Sequence, residues 1–170
     1  GNTSAHFDNI TITPQDYVFT YRTVASGNWS DPNIWEYTRD GSTWYNANIP
    51  PSASGAVSIT IRSGHSVAVT SNVTADQLVV ESTGSLSINS GVVFTLANAD
   101  GTDLVMDGTL VNSGTLAFDS GATMTAGVSS DITYNGSAAQ TLGVGFPATV
   151  NNLTINNASG VNMSGSLTVN

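Results

Sequence analysis

The chain contains no cysteine, and its 170 residues carry only three basic side chains, Arg22, Arg39 and Arg62. Without cysteine there is no disulfide framework, no thiolate-held zinc and no thiol nucleophile. The three arginines make up the whole Lys+Arg count, so lysine is absent too, and nothing basic follows Arg62. The formal net charge is −9. Nucleic-acid binding needs cations that neutralise phosphates and release counterions, and most of this chain has none to offer. Anionic membrane surfaces are disfavoured for the same reason, and anionic polysaccharides with them. Neutral glycans and Ca²⁺ stay compatible with the composition.

Long apolar runs are also missing. No stretch approaches the roughly 20 residues that a membrane-spanning helix needs, so membrane insertion is not expected. No signal peptide opens the chain. It starts and stops abruptly, and the expectation is a fragment whose neighbours are further domains of the same parent chain. No stripe with a helical period survives the density of Gly and β-branched residues.

What remains is Ser, Thr and Asn, roughly a third of the chain, where an average domain is richer in Glu, Lys, Leu and Ala. The apolar residues recur in short clusters at the strand period, which excludes disorder. Residues 6–13 alternate apolar and polar as a strand does, and a second strand-like run covers residues 17–21. Aromatics then crowd into residues 26–51: Trp29, Trp35, Tyr37, Trp44 and Tyr45. Within this stretch Asp40-Gly41 separates two alternating runs. That pattern predicts a hairpin with a type I′ turn, which requires positive φ at both central residues.

From Val57 onward the texture changes. Short strands are expected every six to ten residues, as at Ile59-Thr60-Ile61, Val67-Ala68-Val69, Leu78-Val79-Val80, Leu86-Ser87-Ile88, Phe94-Thr95-Leu96 and Leu104-Val105-Met106. The series continues at Leu116-Ala117-Phe118, Ile132-Thr133-Tyr134, Leu153-Thr154-Ile155 and Leu167-Thr168-Val169. Apolar–small–apolar triplets put two side chains on one face and one on the other. Many short strands with regular turns suit a β-sandwich or a β-solenoid. The strands are shorter and more closely spaced than is usual in a sandwich, which favours the solenoid and leaves the sandwich as the alternative. Related phrases also recur: Gln77-Leu78-Val79-Val80, Asp103-Leu104-Val105-Met106 and Asn152-Leu153-Thr154-Ile155. The expected fold is therefore an all-β solenoid with coils of about 20–25 residues.

A lone coil buries too few side chains to offset its ordering entropy, so each coil depends on its neighbours. A bare solenoid end exposes strand edges, and this chain has no lysine to blunt one. The tryptophan-rich hairpin is the expected cap. The expected division is a stub over residues 1–23, read as the end of an upstream domain or a linker, a cap over 24–56, and coils over 57–170 that are cut at the C-terminus.

The sequence resembles the repeat regions of large secreted surface proteins of Bacteroidota. The resemblance rests on Ser26-Gly27-Asn28-Trp29-Ser30-Asp31-Pro32-Asn33-Ile34-Trp35, Asp40-Gly41-Ser42-Thr43-Trp44, Pro50-Pro51 and Ile59-Thr60-Ile61-Arg62-Ser63-Gly64-His65-Ser66-Val67. The later phrases Ile132-Thr133-Tyr134-Asn135-Gly136-Ser137-Ala138-Ala139-Gln140-Thr141-Leu142 and Asn152-Leu153-Thr154-Ile155-Asn156-Asn157-Ala158-Ser159-Gly160-Val161 are similar to phrases in the same proteins. The resemblance implies a right-handed parallel β-helix, export to the cell surface or medium, commonly by the type IX route, and a role as stalk, adhesin or accessory module. It implies no catalytic residues.

Three candidate sites stand out. Asp100, Asp103 and Asp107 form an oxygen-rich stretch that suits Ca²⁺. The far-end bidentate acid of an EF-hand is missing, and Asp in such phrases more often serves turns through its own backbone. Trp29, Trp35 and Trp44 are either a sugar-stacking platform or the buried core of the cap, and the cap reading is preferred. His65 lacks a second histidine nearby and is read as a turn residue. No cofactor is expected unless it is Ca²⁺. The same acids also resemble a glycosidase pair, which needs only carboxylates and stays open, whereas a lyase would need a cation that the coils lack. The expected function is a secreted or cell-surface structural and adhesive module with neutral-glycan contact, not an enzyme. The alternative is a carbohydrate-binding accessory module of a polysaccharide-degrading enzyme.

Overall fold

The computed structural model describes residues 19–53, 56–99 and 101–170. They form an all-β solenoid, as the triplet pattern predicts. Among the described residues the sole helical element is a 3-10 turn, Pro32–Ile34, capped by Asp31, whose side chain accepts from the Asn33 N–H. The run expected over residues 6–13 lies outside the described residues.

The first turn holds β1 (Phe19–Thr23) and β2 (Gly27–Asn28), followed by an antiparallel pair, β3 (Trp35–Thr38) and β4 (Tyr45–Asn46). Three-stranded coils then repeat. They are β5 (Ala56–Ile61), β6 (Ser66–Val69) and β7 (Val73–Ala75); β8 (Leu78–Val80), β9 (Ser85–Ile88) and β10 (Val93–Leu96); and β11 (Leu104–Met106), β12 (Thr109–Asn112) and β13 (Thr115–Phe118). Next come β14 (Met124–Ala126), β15 (Asp131–Tyr134) and β16 (Gln140–Leu142), then β17 (Thr149–Val150), β18 (Asn152–Ile155), β19 (Val161–Met163) and β20 (Thr168–Val169).

Stacking makes three faces. The first carries β1, β5, β8, β11 and β14, and the second β2, β6, β9, β12, β15 and β18. The third carries β7, β10 and β13. Coil-to-coil pairing is parallel throughout, as it must be when each coil repeats the last. In register the step between coils is 19 residues from Val67 to Leu86, 22 from Leu110 to Ile132 and 26 from Leu78 to Leu104, so the coils scatter slightly wider than the expected 20–25.

Register explains the triplets. Ile59, Leu78, Leu104 and Met124 align in one inward rank, and Val67, Leu86, Leu110 and Ile132 in another. All eight are buried. The residues between them point outward, so one apolar side chain stacks on the next along the whole axis. The phrase Asn152-Leu153-Thr154-Ile155 departs from this scheme. It belongs to the second face and stacks on β15, whereas Leu78 and Leu104 pair on the first.

Two further local differences have physical causes. Residues 19–23, grouped with the stub by sequence, form β1, which pairs parallel with β5 and antiparallel with β3. The hairpin exists, but Tyr37 pairs with Tyr45, which leaves a loop wider than two residues. Gly41 has φ of 74° and Asp40 does not take positive φ, so the turn is not type I′. Asp40 instead organises the loop, accepting at Oδ1 from the Ser42 and Thr43 N–H groups and the Thr38 hydroxyl. These bonds hold its carboxyl well below the usual carboxylate range.

The third face is interrupted after β13. β16 pairs with β19 in a separate sheet rather than with β13. Phe118 is the wedge: its ring lies where a Cβ on Gly143 or Gly145 would have to be. At the far end Ile155, Met163 and Val169 are about half exposed, because no further rung lies over them among the described residues.

Candidate functional site

The aromatic hairpin divides into a buried half and an open half. Trp29 is 2% exposed and Trp35 fully buried. Their rings meet edge to face at 5.1 Å, and Trp29 makes a second such contact with Phe94 at 5.3 Å. Trp29 Nε1 donates to the Pro51 carbonyl, and Trp35 Nε1 to the Trp29 carbonyl. Both indoles therefore fill the axial end of the core with their polar atoms satisfied, and neither is open to a ligand.

Trp44 lies elsewhere. The Arg22 guanidinium stacks 3.6 Å from its ring centroid and also pairs with Glu36. Tyr45 packs on Tyr37 at 5.8 Å and is 53% exposed. Arg22 and Tyr21 are neighbours on β1 and point to opposite sides. Trp44 follows Arg22, while Tyr45 follows the Tyr37–Tyr21 side. The half-buried Trp44 and the exposed Tyr45 thus sit on opposite faces of the hairpin, and the three tryptophans do not form one plane.

The acidic stretch is also divided. Asp103 is fully buried just before β11. Its Oδ1 accepts from Ala99 N–H at 3.1 Å and its Oδ2 from Thr123 N–H at 2.7 Å. Asp107 stands past the other end of β11, where Oδ1 accepts from Ser129 N–H at 3.2 Å. At the usual strand rise the two are about 13 Å apart, so the fold does not bring them together. Asp100 lies outside the described residues. Among the described residues no three His, Cys, Asp or Glu side chains converge.

The fold gives Asp103 a different neighbour, Asp76, only 6% exposed. Burial pushes its carboxyl up, the Gln77 N–H pulls it partly back, and the Asp103 charge and a hydrogen bond between the two carboxyls add to the rise. Gln77 takes a left-handed φ of 48°, which reverses the chain at this corner. Sequence reading missed Asp76. The aligned phrases Gln77-Leu78 and Asp103-Leu104 put Gln77 opposite Asp103, so Asp76 stands one residue off the register that the sequence repeats show.

His65 closes the turn after β5. Its Nδ1 lies 2.8 Å from Thr23 Oγ1 and its N–H donates to the Arg62 carbonyl, with Gly64 at φ 79°. It ties that turn to β1. Two shallow clefts flank the interruption of the third face. One of about 230 Å³ is lined by Val144, Phe146, Met163 and Leu167, and one of about 200 Å³ by Thr115, Phe118, Gln140 and Thr141. No charged side chain lines either. Among the described residues no helix is long and apolar enough to cross a membrane.

Comparison with protein-family models, with curated proteins and with solved structures finds no match, so the function is argued from the fold and these sites alone.

Proposed function

We propose that this chain is a structural and adhesive module of a secreted or cell-surface protein, acting as a stalk or spacer, with neutral-glycan contact as a secondary property. The observation that carries the reading is the packing: an interior filled along its axis by stacked aliphatic ranks and closed at one end by Trp29 and Trp35. Such a stack resists bending because every rung is bonded to the next. Its outward rank on the second face, Ala68, Ser87, Val111, Thr133 and Thr154, is small and uncharged. The resemblance to surface-protein repeat regions of Bacteroidota supports the placement outside the cell, and the missing cations argue against lyase chemistry on the coils.

The test is a glycan array on the isolated chain, combined with a reducing-sugar assay on a polysaccharide panel. A stalk or spacer gives at most weak glycan signals and releases no sugar. Reducing sugar released from the panel overturns it. A second reading, a carbohydrate-binding accessory module, is favoured by Tyr45, the most exposed aromatic of the hairpin. Strong array binding lost in Tyr45→Ala would select it.

A further inference from the structure

Asp76 and Asp103 meet on neighbouring coils, at the corner where the third face turns into the first. Two features make this corner unusual. Asp76 Oδ1 is buried and accepts no hydrogen bond, and the group beside it is a second, fully buried carboxylate. Buried like charges repel unless something neutralises them. Among the described residues no arginine reaches the corner. Arg22 is committed to Glu36 and Trp44, Arg39 lies over Phe19, and Arg62 follows the opposite end of β5.

We propose that Asp76 and Asp103 hold a Ca²⁺ ion, with Asp76 Oδ1 as its open ligand. The donor set is all oxygen, with no His or Cys, which selects a hard cation. Each carboxylate oxygen keeps a second lone pair, so Asp103 can ligate while retaining its bonds from Ala99 and Thr123. Two carboxylates supply only part of the roughly six to eight oxygens that Ca²⁺ takes. Corner carbonyls and water complete the shell, an irregular arrangement that Ca²⁺ tolerates better than Mg²⁺ does. Few charged ligands place the affinity in the range of extracellular modules, about 0.1–1 mM. The ion would clamp the end of β7 to the start of β11, adding a cross-coil tie where the loop before Asp103 lengthens the coil.

The experiment compares thermal melts of the whole chain in EGTA, 10 mM CaCl₂ and 10 mM MgCl₂ at matched ionic strength. Ca²⁺ is expected to raise Tm by about 2–5 °C, Mg²⁺ by less. Asp76→Asn should abolish the Ca²⁺ shift, and Asp107→Asn should leave it intact. Absence of a shift in the native chain overturns the site, as does a shift that survives Asp76→Asn. A Ca²⁺-insensitive melt that is higher at pH 5 than at pH 8 identifies a shared proton instead of a metal and also overturns it. Should Asp76→Asn not fold, calorimetric titration of Ca²⁺ into the native chain decides: about one ion bound per chain supports the site, and none overturns it.

Discussion

Gln140 Nε2 donates to the Asn112 carbonyl, 2.9 Å away and 28 residues earlier in the chain. The same amide nitrogen reaches the Gly114 carbonyl at 2.9 Å, while Oε1 accepts from the Gly136 N–H and from Asn157 Nδ2. One buried side chain therefore satisfies the Gly114 carbonyl and the Gly136 N–H and adds a second donor to the Asn112 carbonyl, which also accepts from the Asn135 N–H. Gln140→Ala strands one carbonyl and one N–H at once. Its cost is expected to be about 3 kcal/mol by denaturant melt. Gln140→Glu should fold poorly at neutral pH and recover on acidification, because the ionised side chain cannot donate.

Tyr134 behaves in the opposite way. Its hydroxyl is buried near the Asn112 amide without completing a hydrogen bond. Burial pushes its pKa up to about 12. The folded state therefore holds its proton more tightly than the unfolded chain, whose tyrosine titrates near 10. The stability this confers is intact below about pH 10 and is lost as pH rises toward 12. Tyr134→Phe should be neutral or slightly stabilising at pH 7. It should also flatten the alkaline loss in a pH series of urea melts.

Much of this fold was legible because its signal is one of period. Ile59, Leu78 and Leu104 announce themselves as inward, β-branched or aliphatic and flanked by small residues. Three of the strands that escaped notice break the apolar–small–apolar triplet. β12 turns in Leu110 with Asn112, β16 turns in Gln140 with Leu142, and β14 turns in Met124 with Ala126. Amides read as polar in a sequence, and only the corner network shows that they belong to the core. The candidate site was less legible for a related reason. Asp103 and Asp107 are close in sequence but lie at opposite ends of β11. Asp76, 27 residues before Asp103, is brought alongside it by one turn of the coil. The hairpin was visible in Asp40-Gly41, but its turn type depends on where Tyr45 pairs.

The Phe118 wedge gives a coupling prediction. Gly143→Ala places a methyl group in the Phe118 ring and should cost about 1–3 kcal/mol. In a Phe118→Ala background the same change should cost close to nothing. A double-mutant cycle that shows additive losses would mean the ring does not set the interruption.

The cap makes the sharpest demand, because it fixes which end of the stack opens first. Trp35 is fully buried against Trp29, and its indole N–H has its partner there. Trp35→Ala should therefore cost about 3–5 kcal/mol, as expected for removing a large buried aromatic. Trp44 rests on the surface under Arg22, and Trp44→Ala should cost about 1 kcal/mol or less. A platform for sugar would invert the functional ranking but not this stability ranking, so melting separates the two roles before any ligand is known. In the native chain, hydrogen exchange should be fastest in β18, β19 and β20, where Ile155, Met163 and Val169 are half exposed. It should be slowest in β8, β9 and β11, whose rungs are paired on both sides. Trp35→Ala should then raise exchange in β1, β5 and β6 while leaving β15 unchanged, since each rung answers mainly to its neighbours. Uniform acceleration along the whole stack would mean that the coils melt as one unit and that the cap is not a local lid.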